Sequence, residues 1–253
     1  MQRDLEELGL EFDRTTLQSE NREAHEAALD SLAERGVLYR CRCTRKSLRE
    51  ADATPDGGRR YPGTCRALRV DRGSWRATED PLRVELPRGR LEIRDESGLS
   101  LSQDPEAEMG DPLVRRRDGA MAYHLASVVD DGEASVTRIV RGRDLASTTA
   151  TQTALRALLE LPVPAYRHHL LLLEVHGTKL AKLHGSVDRE ALRARYTSAE
   201  LIGVLAHAAG LLSRPEPTSP GELRGDFSWD RVATDDRVLA WDGQRLALHE
   251  TGH

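Results

Sequence analysis

Lysine is scarce in this chain. Of the 37 basic residues, 34 are arginine, and the lysines are Lys46, Lys179 and Lys182. Arginine binds anions as a planar fork, whereas lysine meets phosphate as a compact point charge. Two lysines three positions apart in such an arginine-rich chain therefore indicate a phosphate site. The alternative is a solvated surface turn in which the two lysines occur by chance.

Long apolar runs and an export signal are also missing. No stretch approaches the 18 or more apolar residues of a membrane span, and residues 1–5 lack the apolar core of a secretion signal. We therefore expect a cytoplasmic protein without a membrane partner. At 253 residues, the chain can bury one large core, or one core with a small satellite. Its net charge of −5 argues against broad nonspecific nucleic-acid binding without excluding a local arginine patch.

Cysteine is scarce as well, and all three residues, Cys41, Cys43 and Cys65, fall within 25 positions. An odd number of cysteines without an export signal argues against a disulfide framework. Three clustered thiolates would instead supply three ligands of a tetrahedral, structural zinc site. The spacing does not give the fourth ligand, because the segment holds no histidine and Tyr61, which is close in sequence, would be an unusual ligand. The alternative is three unpaired, partly buried thiols.

The lysine pair follows an apolar run. Residues 170–175 are predicted to form a buried strand that leads through Gly177 to Lys179 and Lys182. With the β-branched run at residues 136–140 and a helix at residues 147–159, this strand would complete a βαβ unit with parallel pairing. Ligands of α/β proteins bind at the carboxyl ends of such strands.

The remaining patterns predict short elements. A strong turn signal, Asp118-Gly119, separates two predicted hairpin arms, and Thr197 opens a capping box for a helix. The chain from residue 214 onward is predicted to pack loosely. The predicted hairpins and further helices are at residues 82–93, 113–125, 20–35 and 198–210.

Taken together, these stretches resemble the class I glutamyl-type aminoacyl-tRNA synthetases, and within them the short glutamyl-Q tRNA(Asp) synthetase branch. The run KLAK at residues 179–182 resembles the family's KLSK signature. Residues 111–131 resemble the family's central hairpin and strand, and residues 136–145 resemble the next segment of the family's chain. Residues 41–43 with residues 61–66 resemble the zinc segment of the glutamyl-Q branch.

The resemblance implies an α/β fold. The expected architecture is a class I synthetase Rossmann-like parallel sheet, N-terminally incomplete, with an inserted zinc-bearing α+β segment and a C-terminal helical segment. The family's opening strand and HIGH-type turn have no counterpart here, so we expect the true N-terminus to lie upstream of Met1. The implied divisions are residues 1–40 (remnant of the first half of the Rossmann-like domain), 41–110 (zinc-bearing insertion), 111–190 (second half of the catalytic domain with the KLAKL loop) and 191–253 (C-terminal helical segment and tail).

The resemblance also implies a reaction. A monomer would activate glutamate with ATP, assisted by Mg²⁺, and attach it to the queuosine base in the anticodon loop of tRNA(Asp). Tyr123 and Arg141 match the family's glutamate-binding positions, and Lys182 matches the lysine that contacts ATP, with Lys179 beside it as a second catalytic lysine. The zinc ligands that the resemblance implies are Cys41, Cys43, Tyr61 and Cys65.

Three other interpretations remain open at this point. The first is a catalytically inactive, truncated paralogue that binds tRNA, glutamate or a protein partner, which is favoured by Ala181 in place of the family's serine. The second is a zinc-stabilised scaffold without a ligand. The third is a truncated glutamyl-tRNA synthetase. Joint retention of Tyr123, Arg141 and the two lysines favours the enzyme.

Overall fold

The structure is a computed structural model that describes residues 2–44, 46–175, 177 and 189–249. The chain forms two compact units, which we call the central unit (residues 16–168) and the terminal unit (residues 1–15 and 169–253). Among the described residues, no helix has the length and apolarity that a membrane span requires.

The helices and strands are short. The described residues also form 3₁₀ helices at Gln18–Glu20, Ser74–Ala77, Arg143–Thr148 and Trp229–Arg231. In chain order the α-helices and strands are α1 (Gln2–Glu7), α2 (Arg22–Glu34), β1 (Leu38–Arg40), β2 (Leu82–Val84), α3 (Pro105–Glu108), β3 (Leu113–Arg115), α4 (Tyr123–Glu133), β4 (Arg138–Gly142), α5 (Thr149–Leu158), β5 (Ala165–His169), β6 (Leu172–Leu173), α6 (Arg189–Arg195), α7 (Ser198–Ala208), α8 (Pro220–Gly225), β7 (Arg237–Trp241) and β8 (Leu246–Leu248).

The core of the central unit lies between an antiparallel sheet and its helices. Strand β2 pairs with β1 on one side and with β3 on the other. Helix α2 buries Leu29 and Leu32 completely in this core, and the core also takes in Leu125 of α4 and Leu155 of α5. The predicted helix at residues 20–35 is therefore confirmed, and it ends at Gly36, whose φ of +69° is the left-handed conformation that glycine adopts readily.

The tight turn at Asp118-Gly119 is confirmed, but only its first arm is a strand. The amide of Arg116 donates to the carbonyl of Ala120 across the turn. The predicted second arm forms only as far as Ala122. Met121 makes an isolated antiparallel bridge with Arg115, and the amide of Ala122 donates to the carbonyl of Val114. The rest of this arm is wrong, because α4 begins at Tyr123. The side chains that α4 buries recur at helical spacing, at Leu125, Ala126, Val128 and Val129.

The predicted pairing of residues 136–140 with residues 170–175 is wrong. Strand β4 and helix α5 form as predicted, but β4 pairs with β5, and β6 pairs in parallel with β7. Strand β5 is not predicted from the sequence, because only one of its faces is buried and that face carries a histidine. The single parallel sheet expected from the sequence is thus replaced, among the described residues, by three small sheets.

The predicted hairpin at residues 82–93 is also wrong. Strand β2 lies between β1 and β3, while Leu91 forms an isolated antiparallel bridge with Gln103. The central unit therefore takes its sheet from strands far apart in sequence.

The terminal unit contains a sheet of its own, with β7 between β6 and β8. Ala208 at the end of α7 packs with Leu239 and Leu246, all three being buried. The predicted capping box of Thr197 and Glu200 is present at the start of α7. The chain beyond residue 214 forms α8, β7 and β8, so the expectation that it packs loosely is wrong. The helical segment expected before it is present as α6 and α7.

Candidate functional site

Arg141, in strand β4, is half-buried and its guanidinium is held by four acceptors. Its Nε donates to Nε2 of His168 (2.9 Å), and its Nη1 donates to Oε1 of Gln152 (2.7 Å). Its Nη2 donates to the carbonyl of Leu145 (3.3 Å) and to the hydroxyl of Thr149 (2.8 Å). Because a guanidinium carries five N–H donors, one N–H on Nη1 has no acceptor among the described residues and is available to a ligand.

The four acceptors around Arg141 are all neutral groups, so no carboxylate of the described residues compensates its charge by direct contact. The charge acts on its surroundings. Burial, with the charge of Arg141 acting in the same direction, lowers the pKa of His124 despite the opposing effect of Asp56. A half-buried cation without a contacting counter-ion is suited to an anionic ligand.

Tyr123 is the first residue of helix α4 and is 49% exposed. Helix α4 starts without a side-chain cap, so its positive dipole end is not neutralised by a capping side chain. Gln152, which accepts from Arg141, also donates to the hydroxyl of Ser127 (3.0 Å). Ser127 lies one helical turn after Tyr123 and shares its face of α4. This hydrogen-bond chain joins Arg141 to the helix face that carries Tyr123.

A polar cavity of about 190 Å³ opens beside the first turn of α4. His124 and Thr151 line it together with Asp56 and Arg83. The hydroxyl of Thr151 and Nδ1 of His124 are both buried without a hydrogen-bond partner among the described residues. The cavity therefore offers polar groups to a bound molecule.

The structure brings the three cysteines together. The sulfurs of Cys41, Cys43 and Cys65 all lie within 4.8 Å of one another, and those of Cys43 and Cys65 are 3.7 Å apart. The hydroxyl of Tyr61 is 3.8 Å from the sulfur of Cys43 and accepts the backbone N–H of Cys65 at 2.9 Å. Tetrahedral zinc with Zn–S bonds of about 2.3 Å keeps its sulfurs about 3.8 Å apart. The donor set therefore fits zinc.

The surroundings of these donors differ from one to the next. Burial raises the pKa of Cys43 and that of Tyr61. Burial also acts to raise the pKa of Cys65, but hydrogen bonds from Tyr61, from the backbone of Arg42 and from the other two thiols lower it overall. Because the thiolate is the form that binds a metal, the lowered pKa of Cys65 favours metal binding by this thiol.

An ion-pair network fastens the cysteine cluster to the core. Arg66, next to Cys65, donates from Nε and Nη2 to Asp111 (2.6 and 2.9 Å), and from Nη2 to Glu106 (2.6 Å). The hydroxyl of Tyr39 donates to the same Asp111 at 2.6 Å. Asp111 is fully buried, so this network holds the cysteine segment in place against the sheet.

The two lysines of the predicted phosphate site, Lys179 and Lys182, lie outside the described residues, as does Ala181. The described residues nearest to them in the sequence are Gly177 and Arg189. Their assignment to ATP remains a prediction from the sequence.

Comparison with known proteins identifies the family. Residues 1–202 match the family model of the class I tRNA synthetases (E and Q), catalytic domain. The chain belongs to this family. It is 39% identical over 246 residues to the glutamyl-Q tRNA(Asp) synthetase of Nocardia farcinica, a match that covers 95% of this chain and 76% of that protein. The glutamyl-Q tRNA(Asp) synthetase of Symbiobacterium thermophilum is 38% identical over 246 residues, covering 90% and 76%.

Two solved structures share the fold of this class I synthetase. The glutamate tRNA ligase of Elizabethkingia meningosepticum, solved in complex with its amino acid, superposes with a TM-score of 0.70 at 18% identity over 93% of this chain. The glutamate-tRNA synthetase of Elizabethkingia anophelis gives a TM-score of 0.71 at 18% identity over 96% of this chain. The matches span 55% and 57% of those two chains. The protein is therefore an aminoacyl-tRNA synthetase-like ligase with the class I catalytic fold.

Sequence reasoning on this synthetase missed the residues that surround Arg141. Thr149 and Gln152 are polar yet buried in α5, three positions apart on one helix face. Such a polar stripe on the inward face of a predicted helix is a signal for a buried hydrogen-bond network. For His168 the signal is its place in the alternating pattern of β5, which buries Tyr166 and His168 and exposes Ala165 and His169.

Proposed function

We propose that this class I synthetase activates glutamate with ATP and transfers the glutamyl group to the queuosine base in the anticodon loop of tRNA(Asp). The observation that carries the proposal is the guanidinium of Arg141, which is bound by neutral acceptors and keeps its charge and one N–H for a ligand. Two relatives that the chain matches over three quarters of their length are named glutamyl-Q tRNA(Asp) synthetase. Their names support the choice of substrate.

Glutamate has two carboxylates, and the chemistry assigns them different roles. The side-chain carboxylate binds Arg141, whose charge-assisted hydrogen bond recognises an anion. The exposed hydroxyl of Tyr123 donates to the bound amino acid and fixes its orientation. An oxygen of the α-carboxylate then attacks the α-phosphorus of ATP, so that glutamyl-adenylate forms and pyrophosphate leaves. The reaction needs no side-chain nucleophile, and the protein contributes positioning and electrostatics.

ATP with Mg²⁺ belongs to the same proposal. Lys182 contacts ATP and, with Lys179, stabilises the negative charge that develops on the phosphates during the attack. Both assignments rest on the resemblance of residues 179–182 to the KLSK signature. The catalytic half of the chain is then residues 111–190.

A structural zinc ion is the second part of the proposal. Cys41, Cys43, Tyr61 and Cys65 would hold it, as the spacing of the three sulfurs supports. Bound zinc would cross-link the segment of residues 41–110 and take no part in the reaction. Residues 1–40 and 191–253 flank this segment and the catalytic half.

The decisive experiment separates the two ends of the tRNA. The purified protein is incubated with ATP and labelled glutamate, together with one of three tRNA(Asp) substrates: fully modified, lacking queuosine, or queuosine-containing but without its 3′-terminal adenosine. We expect labelling of the first and third substrates only, because the acceptor is the anticodon base.

The other outcomes have different meanings. Labelling that needs the 3′-terminal adenosine and not queuosine indicates a glutamyl-tRNA synthetase. Glutamate or tRNA binding without release of pyrophosphate from ATP indicates an inactive binding protein. Either result overturns the proposal.

A further inference from the structure

We infer that His168 is a positioning residue. Its side chain, a neutral imidazole protonated on Nδ1, fixes the position of the Arg141 guanidinium, and Asp95 selects this tautomer of His168. The inference deepens the proposed function and rests on it, because Arg141 is the proposed glutamate-binding residue. Neither His168 nor Asp95 touches the reacting atoms. They act through Arg141.

The tautomer is set by the hydrogen bonds that each partner of His168 is able to make. The side chains of His168 and Asp95 are both completely buried. Nε2 of His168 lies 2.9 Å from Nε of Arg141, and the Nε–H of arginine only donates. Nε2 must therefore be the accepting nitrogen, so the proton of the neutral ring is on Nδ1. Nδ1 lies 2.7 Å from Oδ2 of Asp95, to which it donates.

Asp95 is itself held as an ionised acceptor. Its Oδ1 accepts the backbone N–H of Ser97 (2.9 Å), the hydroxyl of Ser97 and the backbone N–H of His168 (3.1 Å). Burial acts to raise the pKa of Asp95, but these hydrogen bonds and that from the His168 ring lower it below its ordinary value. Three donors occupy Oδ1, so only Oδ2 faces the imidazole.

An aromatic ring also lies beside the imidazole. The ring of Tyr166 stacks beside it, with 6.3 Å between centroids and 15° between the planes. A proton on Nε2 would face the N–H of Arg141 and repel it, which would move the guanidinium away from its other acceptors, Gln152 and Thr149. The position of the one free N–H of Arg141 therefore depends on which nitrogen of His168 is protonated.

The test is Asp95→Asn, because the orientation of the new amide is dictated by its surroundings. The amide oxygen takes the three donors now on Oδ1, so the amide nitrogen faces Nδ1 of His168 and donates to it. The ring proton must then move to Nε2. We expect the imidazole ¹⁵N resonances to switch from the Nδ1–H to the Nε2–H pattern. We also expect the Kd for glutamate, measured by calorimetry, to rise about tenfold or more, with the Kd for ATP unchanged.

Two substitutions at the histidine give an independent test. In His168→Gln the side-chain oxygen can accept from Nε of Arg141, so we expect glutamate affinity near that of the wild type. In His168→Leu no acceptor remains, and we expect the same loss as in Asp95→Asn. His169→Gln, at the exposed end of the same strand, is the matched control and leaves the Kd unchanged. A role in packing alone would lower the melting temperature without separating the glutamine and leucine variants in glutamate binding.

The outcomes distinguish this inference from the function on which it rests. The inference alone is overturned if the wild-type protein binds glutamate and Asp95→Asn, with its tautomer switched, binds glutamate equally well. The inference is also overturned if His168→Gln binds glutamate as weakly as His168→Leu. This comparison of the two histidine variants tests the inference even if Asp95→Asn does not fold. A wild-type protein that binds no glutamate overturns the proposed function and this inference together.

Discussion

Among single residues, Arg141 shows why arginine and lysine are not interchangeable. Its five donors allow it to satisfy His168, Gln152, Leu145 and Thr149 and leave one N–H without an acceptor among the described residues. A lysine ammonium has three donors on one atom. It would leave some of these acceptors unsatisfied.

Arg141→Lys is expected to weaken glutamate binding by about ten- to a hundredfold, because a hydrogen bond to a charged group contributes about 1.5–3 kcal/mol. Calorimetric titration with glutamate measures the loss. Arg138→Lys is the matched control on the same strand, where the exposed arginine pairs with Glu96. Equal affinity of the Arg141 and Arg138 variants would contradict the assignment.

Asp30 gives a prediction about acid stability. A hydrogen bond from Arg76, together with those from Trp75 and the amide of Gly73, lowers the pKa of this α2 carboxyl to about 2, although burial opposes the shift. Because the folded pKa is below the ordinary value of 3.8, its stabilisation is complete above about pH 4 and is lost as the pH falls toward 2.

Asp30→Asn should therefore lower the free energy of unfolding by about 1–2 kcal/mol at pH 7, and by progressively less as the pH falls from 4 to 2. Urea unfolding of both proteins across this range measures the difference. Asp71→Asn, in the same loop as Gly73, is the control substitution. A deficit of Asp30→Asn that is constant with pH would refute the role given to its charge.

Among the structural elements, the cysteine segment is the part that the sequence predicts best. The sulfurs of Cys41, Cys43 and Cys65 all lie within 4.8 Å of one another, in agreement with their clustering in the sequence. Tyr61 joins them through its contact with Cys43. Spacing was sufficient here because two of the three thiols are separated by one residue, and the third lies in a segment that an ion-pair network fastens nearby.

Purified protein is expected to contain about one zinc ion per chain, and chelation should lower its melting temperature by about 5–10 °C. A ligand at 100 times its Kd adds about 2.7 kcal/mol, and each kcal/mol shifts the melting temperature of such a chain by about 2–4 °C. Atomic emission and thermal melting measure the two quantities. Cys43→Ser should lose the metal, while Ser47→Ala in the same segment should retain it. A stable, metal-free preparation would refute the zinc site.

Other elements show where sequence patterns fail. Helix α2 was predictable because its apolar residues recur at helical spacing and Gly36 ends it. Helix α4 was mistaken for a strand because its first turn follows a true tight turn and it contains the β-branched pair Val128-Val129. The pair of Asp95 and His168 could not be foreseen, since 73 positions separate the two residues and only the folded chain brings them together.

For the whole molecule, the net charge of −5 limits how RNA is bound. Attraction to phosphate must come from local groups of arginines, and each neutralised phosphate makes affinity fall with salt. With two or three such contacts, the affinity for tRNA(Asp) is expected to fall about tenfold or more between 50 and 200 mM salt. Filter binding over this range measures the slope, with tRNA(Asp) lacking queuosine as the control. Binding that is insensitive to salt would contradict a phosphate-contacting arginine surface.

Under the proposed function, the neutral surroundings of Arg141 would also determine which amino acids the enzyme rejects. Glutamine has the length of glutamate, but its amide brings no negative charge to balance the half-buried guanidinium. Aspartate brings the charge, but it is one methylene too short to place both of its carboxylates at once, and a difference of one methylene gives weak discrimination. Discrimination against glutamine would thus come from electrostatics, and discrimination against aspartate from the length of its side chain. Aspartate would therefore be the competitor that the enzyme rejects less strongly.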